Sequence, residues 1–195
     1  MKKVRDDLIA LKASPLYAYR VANGYFPVAG QGNHDADIMF IGEAPGETEA
    51  KTGIPFCGRA GKMLDELLSH INLNREDVYI TNIVKDRPQE NRDPTPEEIH
   101  LYSPFLDRQI EIIEPRAIVT LGRFAMEYIF NHFDLSDRPG PISSMRGQVF
   151  EVDALGKHIK IIPLFHPAVA LYDGSKREVL KADFEKLKEV TDTIV

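Results

Sequence analysis

Residues 37–46 read DIMFIGEAPG, an unbroken apolar run that stops abruptly on Gly-Glu-Ala-Pro-Gly. A short, continuous apolar run bounded by turn residues is the pattern of a strand buried on both faces. DVYITNIV at residues 77–84 and RAIVTL at residues 116–121 have the same form. Helical patterns lie between them. GKMLDELLSHI sets Met63, Leu64, Leu67, Leu68 and Ile71 on one face, and TPEEIHLYSPFLDRQIEII opens with Thr95 as N-cap, Pro96 at the first helical position and Glu98 completing a capping box. Strands alternating with helices predict a parallel sheet covered on both sides. Further on, RGQVFEVDALGKHIKIIPLF predicts an antiparallel hairpin turning near Leu155-Gly156, whose second arm, residues 159–165, joins the sheet. Helices are expected over residues 4–11 and 176–193. The fold class is therefore α/β, a three-layer α/β/α sandwich around a central, mainly parallel four-stranded sheet, in one domain over residues 1–195.

Composition narrows the chemistry. The chain has 195 residues, is 43% hydrophobic and 28% charged, and carries a net charge of −6, which argues against wrapping long stretches of nucleic acid by charge alone. No apolar run approaches the roughly 18 residues of a membrane span, and the start MKKVRDDLIALKASP lacks the apolar core of a secretory signal, so a cytoplasmic location is expected. A single cysteine, Cys57, rules out an internal disulfide and a cysteine-held metal cluster within one chain.

In open parallel sheets ligands bind beyond the carboxyl ends of the strands. Three such ends carry unusual residues: Gly42-Glu43-Ala44-Pro45-Gly46, Thr81-Asn82 and His166-Pro167-Ala168. Glu43 sits in a stiff turn, where a carboxylate either positions a water or steadies a developing cation, or else is a solvated loop acid. The glycines of residues 41–61 suggest a phosphate cradle, yet they match no nucleotide-binding fingerprint, and Glu43, Glu47 and Glu49 would repel a phosphate. Phe56, in a glycine-rich loop, either packs in the core or offers its face to a planar ligand. Asn82 needs hydrogen bonds if buried, and its amide can also present the donor and acceptor pair that a base edge demands. Pro167 biases His166 to extended geometry and ends its strand. No role is evident for His34, His70, His100, His132 or His158. Neither a Ser-His-Asp order nor H-E-x-x-H spacing is present to support acyl transfer or zinc hydrolysis.

Taken together, IMFIGEAPG, KTGIPFCGRAGKMLDE, YITNIVK, NRDPTPEE, PFLDRQIEIIEPRAIVTLG, RGQVF and HPAVAL make the chain resemble a uracil-DNA glycosylase of the superfamily's family 4 type, over nearly its whole length. The resemblance implies a DNA-repair enzyme that hydrolyses the N-glycosidic bond of a flipped uracil. Glu43, with Glu49 nearby, would organise the water; Phe56 would stack on the base beside the Gly42 backbone. Asn82 would read the uracil edge, and His166 would hydrogen-bond the departing base. Leu171 is the expected wedge, with Tyr172 behind it, since Ala170 is too small for the bulky residue usual there. Arg59, Lys176 and Arg177 would contact DNA phosphates, helped by Lys62, Lys85 and Arg87. The family usually holds an iron–sulfur cluster through four cysteines, whose places are taken here by Leu11, Ser14, Asp86 and Tyr102, so no cluster and no other cofactor or metal is expected. Ala50 also stands where the family often has an acid. The expected partner is uracil-containing DNA, single- or double-stranded, bound by a monomer with no membrane attachment. A glycosylase for hypoxanthine or another deaminated base, or a weakly or non-catalytic uracil-DNA-binding protein, are the alternatives.

Overall fold

The computed structural model describes residues 1–135 and 140–194. Helices α1 (Lys2–Ile9) and α2 (Tyr17–Ala22) lead to the short strand β1 (Gln31–Gly32) and then to β2 (Ile38–Gly42), α3 (Glu47–Thr52), α4 (Arg59–His70) and β3 (Tyr79–Asn82). Next come α5 (Pro96–Ile113), β4 (Ala117–Leu121), α6 (Arg123–His132), α7 (Ile142–Met145) and the hairpin β5 (Phe150–Ala154) with β6 (Lys157–Leu164). Helices α8 (Val169–Tyr172) and α9 (Ser175–Thr191) follow. Among the described residues no helix is long and apolar enough to cross a membrane.

The sheet has the order β1-β3-β2-β4-β6-β5. The expected parallel core of four strands, β3, β2, β4 and β6, is present, and antiparallel edge strands β1 and β5 extend the count from four to six. The hairpin turns where expected because Leu155 and Gly156 both take positive φ (54° and 71°), the twist a two-residue hairpin requires.

Period-two alternation divides the core. Ile38 and Phe40 of β2, Ile80 of β3, Val119 of β4 and Ile162 of β6 pack under α4 and α9, which contribute Leu64, Leu67, Leu68, Phe184 and Leu187. Met39, Ile41, Ile118 and Ile161 face the other way, against Leu106 and Ile110 of α5 and Met126 and Ile129 of α6. Both faces of the parallel strands are thus covered. Helix α5 begins with the expected capping box, Thr95 Oγ1 accepting from Glu98 N (3.2 Å) and Glu98 Oε2 from Thr95 N (2.9 Å).

A third cluster joins the N-terminal helices to the sheet. Val4, Leu8, Leu16, Val84 and Tyr102 form it, with Leu11 packed alongside. Inside it Tyr102 Oη lies 2.6 Å from Asp86 Oδ2 and 2.7 Å from Ser14 Oγ. Arg20 reaches the same carboxylate through Nη1 (3.0 Å) and the Ile9 carbonyl through Nη2 (3.0 Å). The four positions at which a cluster would be ligated are therefore together, but they do not fit one. Their donor set contains no thiolate, and the Arg20 guanidinium already satisfies the single carboxylate in it. The N-terminal segment is held by this apolar packing together with a buried ion pair extended by two hydroxyls. A buried charge left without its partner is costly, so Arg20→Met is expected to lower the unfolding free energy by about 3–5 kcal/mol, measured by chemical denaturation.

Candidate active site

A cavity of about 560 Å³ opens beyond the carboxyl ends of the parallel strands, within the range of small-molecule sites. Its wall includes Glu43, Glu49, Phe56, Asn82 and His166, so residues from three separate strand ends and the loop before α4 meet there. Pairing of β2 with β3 sets Gly42 opposite Asn82. The pairing then runs past the strands, as Ile83 N donates to Gly42 O and Val84 N to Glu43 O, each at 3.0 Å. A methyl group on Gly42 would collide with Asn82 Oδ1 and stand 2.6 Å from Phe56 Cζ. Only bare backbone fits at that point.

Asn82 is buried, yet its Oδ1 has no hydrogen-bond partner among the described residues. An unpaired buried amide oxygen costs about 1–3 kcal/mol, a penalty that a ligand donor would remove. Phe56 holds its ring there through a left-handed backbone (φ 47°), uncommon for a bulky residue. Its ring stacks against His166, centroids 5.6 Å apart and planes 30° from parallel. Burial lowers the His166 imidazole to a pKa of about 4, so it is neutral at ordinary pH. Ala168 N donates to its Nδ1 (3.2 Å), which places the ring proton on Nε2. The result is a neutral hydrogen-bond donor at the cavity wall.

Glu43 makes no side-chain hydrogen bond among the described residues. Burial raises its pKa to about 7, Asp93 adds to the rise, and Arg123 opposes it. Asp93 and Arg123 are themselves paired (3.4 Å). Sequence reasoning missed this pair, since Asp93 and Arg123 lie 30 residues apart and meet only in the fold. Glu49, expected to act with Glu43, lines the same cavity but turns Oε1 to Cys57 N (3.0 Å) and Gly58 N (2.7 Å). It thereby ties down the two residues that follow Phe56 and lead into α4. Ala50 is fully buried, and Cys57 Sγ rests 3.2 Å from Thr52 Oγ1.

At the rim, Leu171 and Tyr172 of α8 both line the cavity, and Tyr172, expected behind Leu171, is the more exposed (84% against 36%). Arg59 is exposed and lines the cavity from the start of α4, and Lys62 is exposed one turn on. The Arg177 guanidinium is bonded to Glu66, and Lys176 Nζ lies 5.7 Å from the centre of the Phe165 ring. Arg87 is half-buried and bonds Tyr25 Oη (2.9 Å) and Asn91 Oδ1 (2.8 Å). Lys85 overturns its expectation. It is fully buried and cannot meet a phosphate.

Residues 29–189 match the family model of the uracil DNA glycosylase superfamily. The chain is 49% identical to a type-4 uracil-DNA glycosylase of Archaeoglobus fulgidus, over 88% of this chain and 84% of that protein. It is 47% identical to the type-4 enzyme of Thermotoga maritima, over 96% and 93%, and 43% identical to that of Sulfurisphaera tokodaii, over 99% and 86%.

The state of the His166 ring is directly measurable. Nitrogen-resolved NMR titration should find it uncharged down to about pH 4 with the proton on Nε2, whereas a midpoint near 6.5 would mean that water reaches the ring freely.

Proposed function

The chain belongs to the uracil DNA glycosylase superfamily, and we infer that it is a type-4 uracil-DNA glycosylase, hydrolysing the N-glycosidic bond of uracil in DNA and leaving an abasic site. The observation that carries the site assignment is Asn82, whose buried amide oxygen has no partner among the described residues and faces bare backbone at Gly42. Uracil offers an N–H beside a carbonyl on its pairing edge, and an amide answers both at once.

A base inside a duplex is out of reach, so the nucleotide must be swung into the cavity, at least cost when it is mispaired or already single-stranded. There it lies along the Gly42 backbone against Phe56, with its edge on Asn82. As the bond between the base nitrogen and the sugar breaks, its electron pair leaves with uracil and the sugar becomes oxocarbenium-like. His166 Nε2–H donates to the base as negative charge builds on it. A neutral donor suits this task, because it stabilises the anion without having to give up its proton. Ionised Glu43 faces the sugar, orients a water toward the anomeric carbon and accepts a proton as the new C–O bond forms. Glu49 supports that arrangement by fixing the loop that carries Phe56. Leu171 and Tyr172 fill the gap left by the extruded nucleotide, while Arg59, Lys176 and Arg177 contact phosphates. For the last two this means that DNA takes them from Phe165 and Glu66.

The thiol-free set at Leu11, Ser14, Asp86 and Tyr102 supports a protein without an iron–sulfur cluster, and we assign it a cytoplasmic, monomeric state. Iron and sulfide in anaerobically purified protein would overturn the first of these.

The activity is tested by incubating the protein with single-stranded, U:G, U:A and hypoxanthine-containing DNA, then cleaving abasic sites with alkali. Breakage at uracil is expected; breakage at hypoxanthine alone, or binding without breakage, would overturn it. Ionisation of Glu43 at about pH 7 implies that kcat/KM falls as the pH drops below that value and levels off above it. Glu43→Gln is expected to lower kcat/KM by about 100- to 10,000-fold and to abolish that pH dependence.

A further inference from the structure

Lys85 lies three residues beyond Asn82 and has no exposed surface. Its side chain folds back beneath the end of β3, so that Nζ lies 2.6 Å from the Asn82 carbonyl oxygen, 2.7 Å from Thr81 Oγ1 and 2.6 Å from Gln109 Oε1. The surrounding groups are fixed in turn. Gln109 Nε2 donates to Ala29 O (2.6 Å) and to Tyr79 Oη (3.1 Å), which settles that its oxygen faces Lys85, and Thr81 Oγ1 lies 2.9 Å from Ala29 O. Both protonation states of Lys85 satisfy the cluster. The ammonium donates three times; the amine donates to Asn82 and Gln109 and accepts from the Thr81 hydroxyl.

The need for such a group follows from the sheet. Strand β1 pairs with β3 only at Tyr79 and Ile80, so among the described residues Asn82 has no strand neighbour on the side away from β2. Its buried carbonyl would otherwise lack a donor, and the strand end bearing the amide would have one side unanchored. Lys85 takes the place of the missing strand. Its own carbonyl accepts from Val28 N (2.7 Å), and the next residue, Asp86, is held by Arg20 and Tyr102.

We propose that Lys85 is a positioning residue for the reaction, holding the Asn82 main chain so that the unpartnered side-chain amide meets the base at a fixed height above Gly42. This rests on Asn82 being the group that reads uracil. Lys85 touches neither base nor sugar and acts through Asn82.

The test compares Lys85→Met, the double variant Lys85→Met with Gln109→Met, Thr81→Val and Asn82→Ala, each assayed below its melting temperature. The double variant replaces donor and acceptor together with apolar groups, which protects folding if Lys85→Met alone leaves too many unpaired oxygens. Loss of the anchor is expected to lower kcat about 100-fold, the effect of a small displacement of a reacting group, with KM for DNA little changed. Inhibition by free uracil should weaken in the same variants. Thr81→Val, which leaves the contact between Lys85 and Asn82, should lower the melting temperature while kcat stays near that of the unaltered protein. Retention of kcat in both Lys85 variants would overturn the proposal, as would an equal loss in Thr81→Val. If Asn82→Ala excises uracil normally, the reading of Asn82 itself has failed; if it is inactive while the Lys85 variants are active, the role of Lys85 alone is refuted.

Discussion

The site depends on a register: β2 and β3 pair so that Gly42 faces Asn82. Any side chain at position 42 would occupy the space in front of the amide and press on the Phe56 ring. Because strand side chains alternate, a slip of one residue would turn Asn82 to the far face of the sheet and bring Thr81 in its place. The buried faces on either side forbid that slip, since it would also turn Ile80 into the wrong layer. Binding specificity at the cavity and hydrophobic burial beneath it are thus enforced by one pairing.

Charge is handled with equal economy. In the proposed reaction an anion forms on the departing base and a cation on the sugar in the same event, and the three side chains assigned to meet them are neutral or close to neutrality, while Arg59 stands elsewhere on the cavity wall. His166 is uncharged, Asn82 is a dipole, and Glu43 is poised near neutrality by burial, with Asp93 and Arg123 acting in opposite senses. A strongly charged resting site would attract water and ions that a flat base would have to displace. Preorganised dipoles need not reorganise as charge develops.

Much of this was legible in the chain itself. The three apolar runs, the capping box at Thr95 and the hairpin at Leu155-Gly156 are local patterns, and local patterns survive folding. The convergence of Glu43, Asn82 and His166 was also accessible, because parallel strands place their carboxyl ends on one edge. Strand β1 was not, since its two residues, Gln31 and Gly32, are exposed and carry no periodicity. Lys85 was misjudged for a different reason: a lysine's letter states its charge, whereas its burial is decided by Thr81, Asn82 and Gln109, which are brought together only by the tertiary fold. Glu49 and the pair of Asp93 with Arg123 were likewise matters of contact across segments.

The clasp of Arg20, Asp86, Tyr102 and Ser14 has a consequence outside the reaction. Its contacts are made by a guanidinium, a carboxylate and two hydroxyls, all supplied by the chain itself. None of its groups is a thiolate, and the cysteine oxidation ladder has no rung on which to start. The joint between the N-terminal segment and the sheet is thereby indifferent to thiol oxidants.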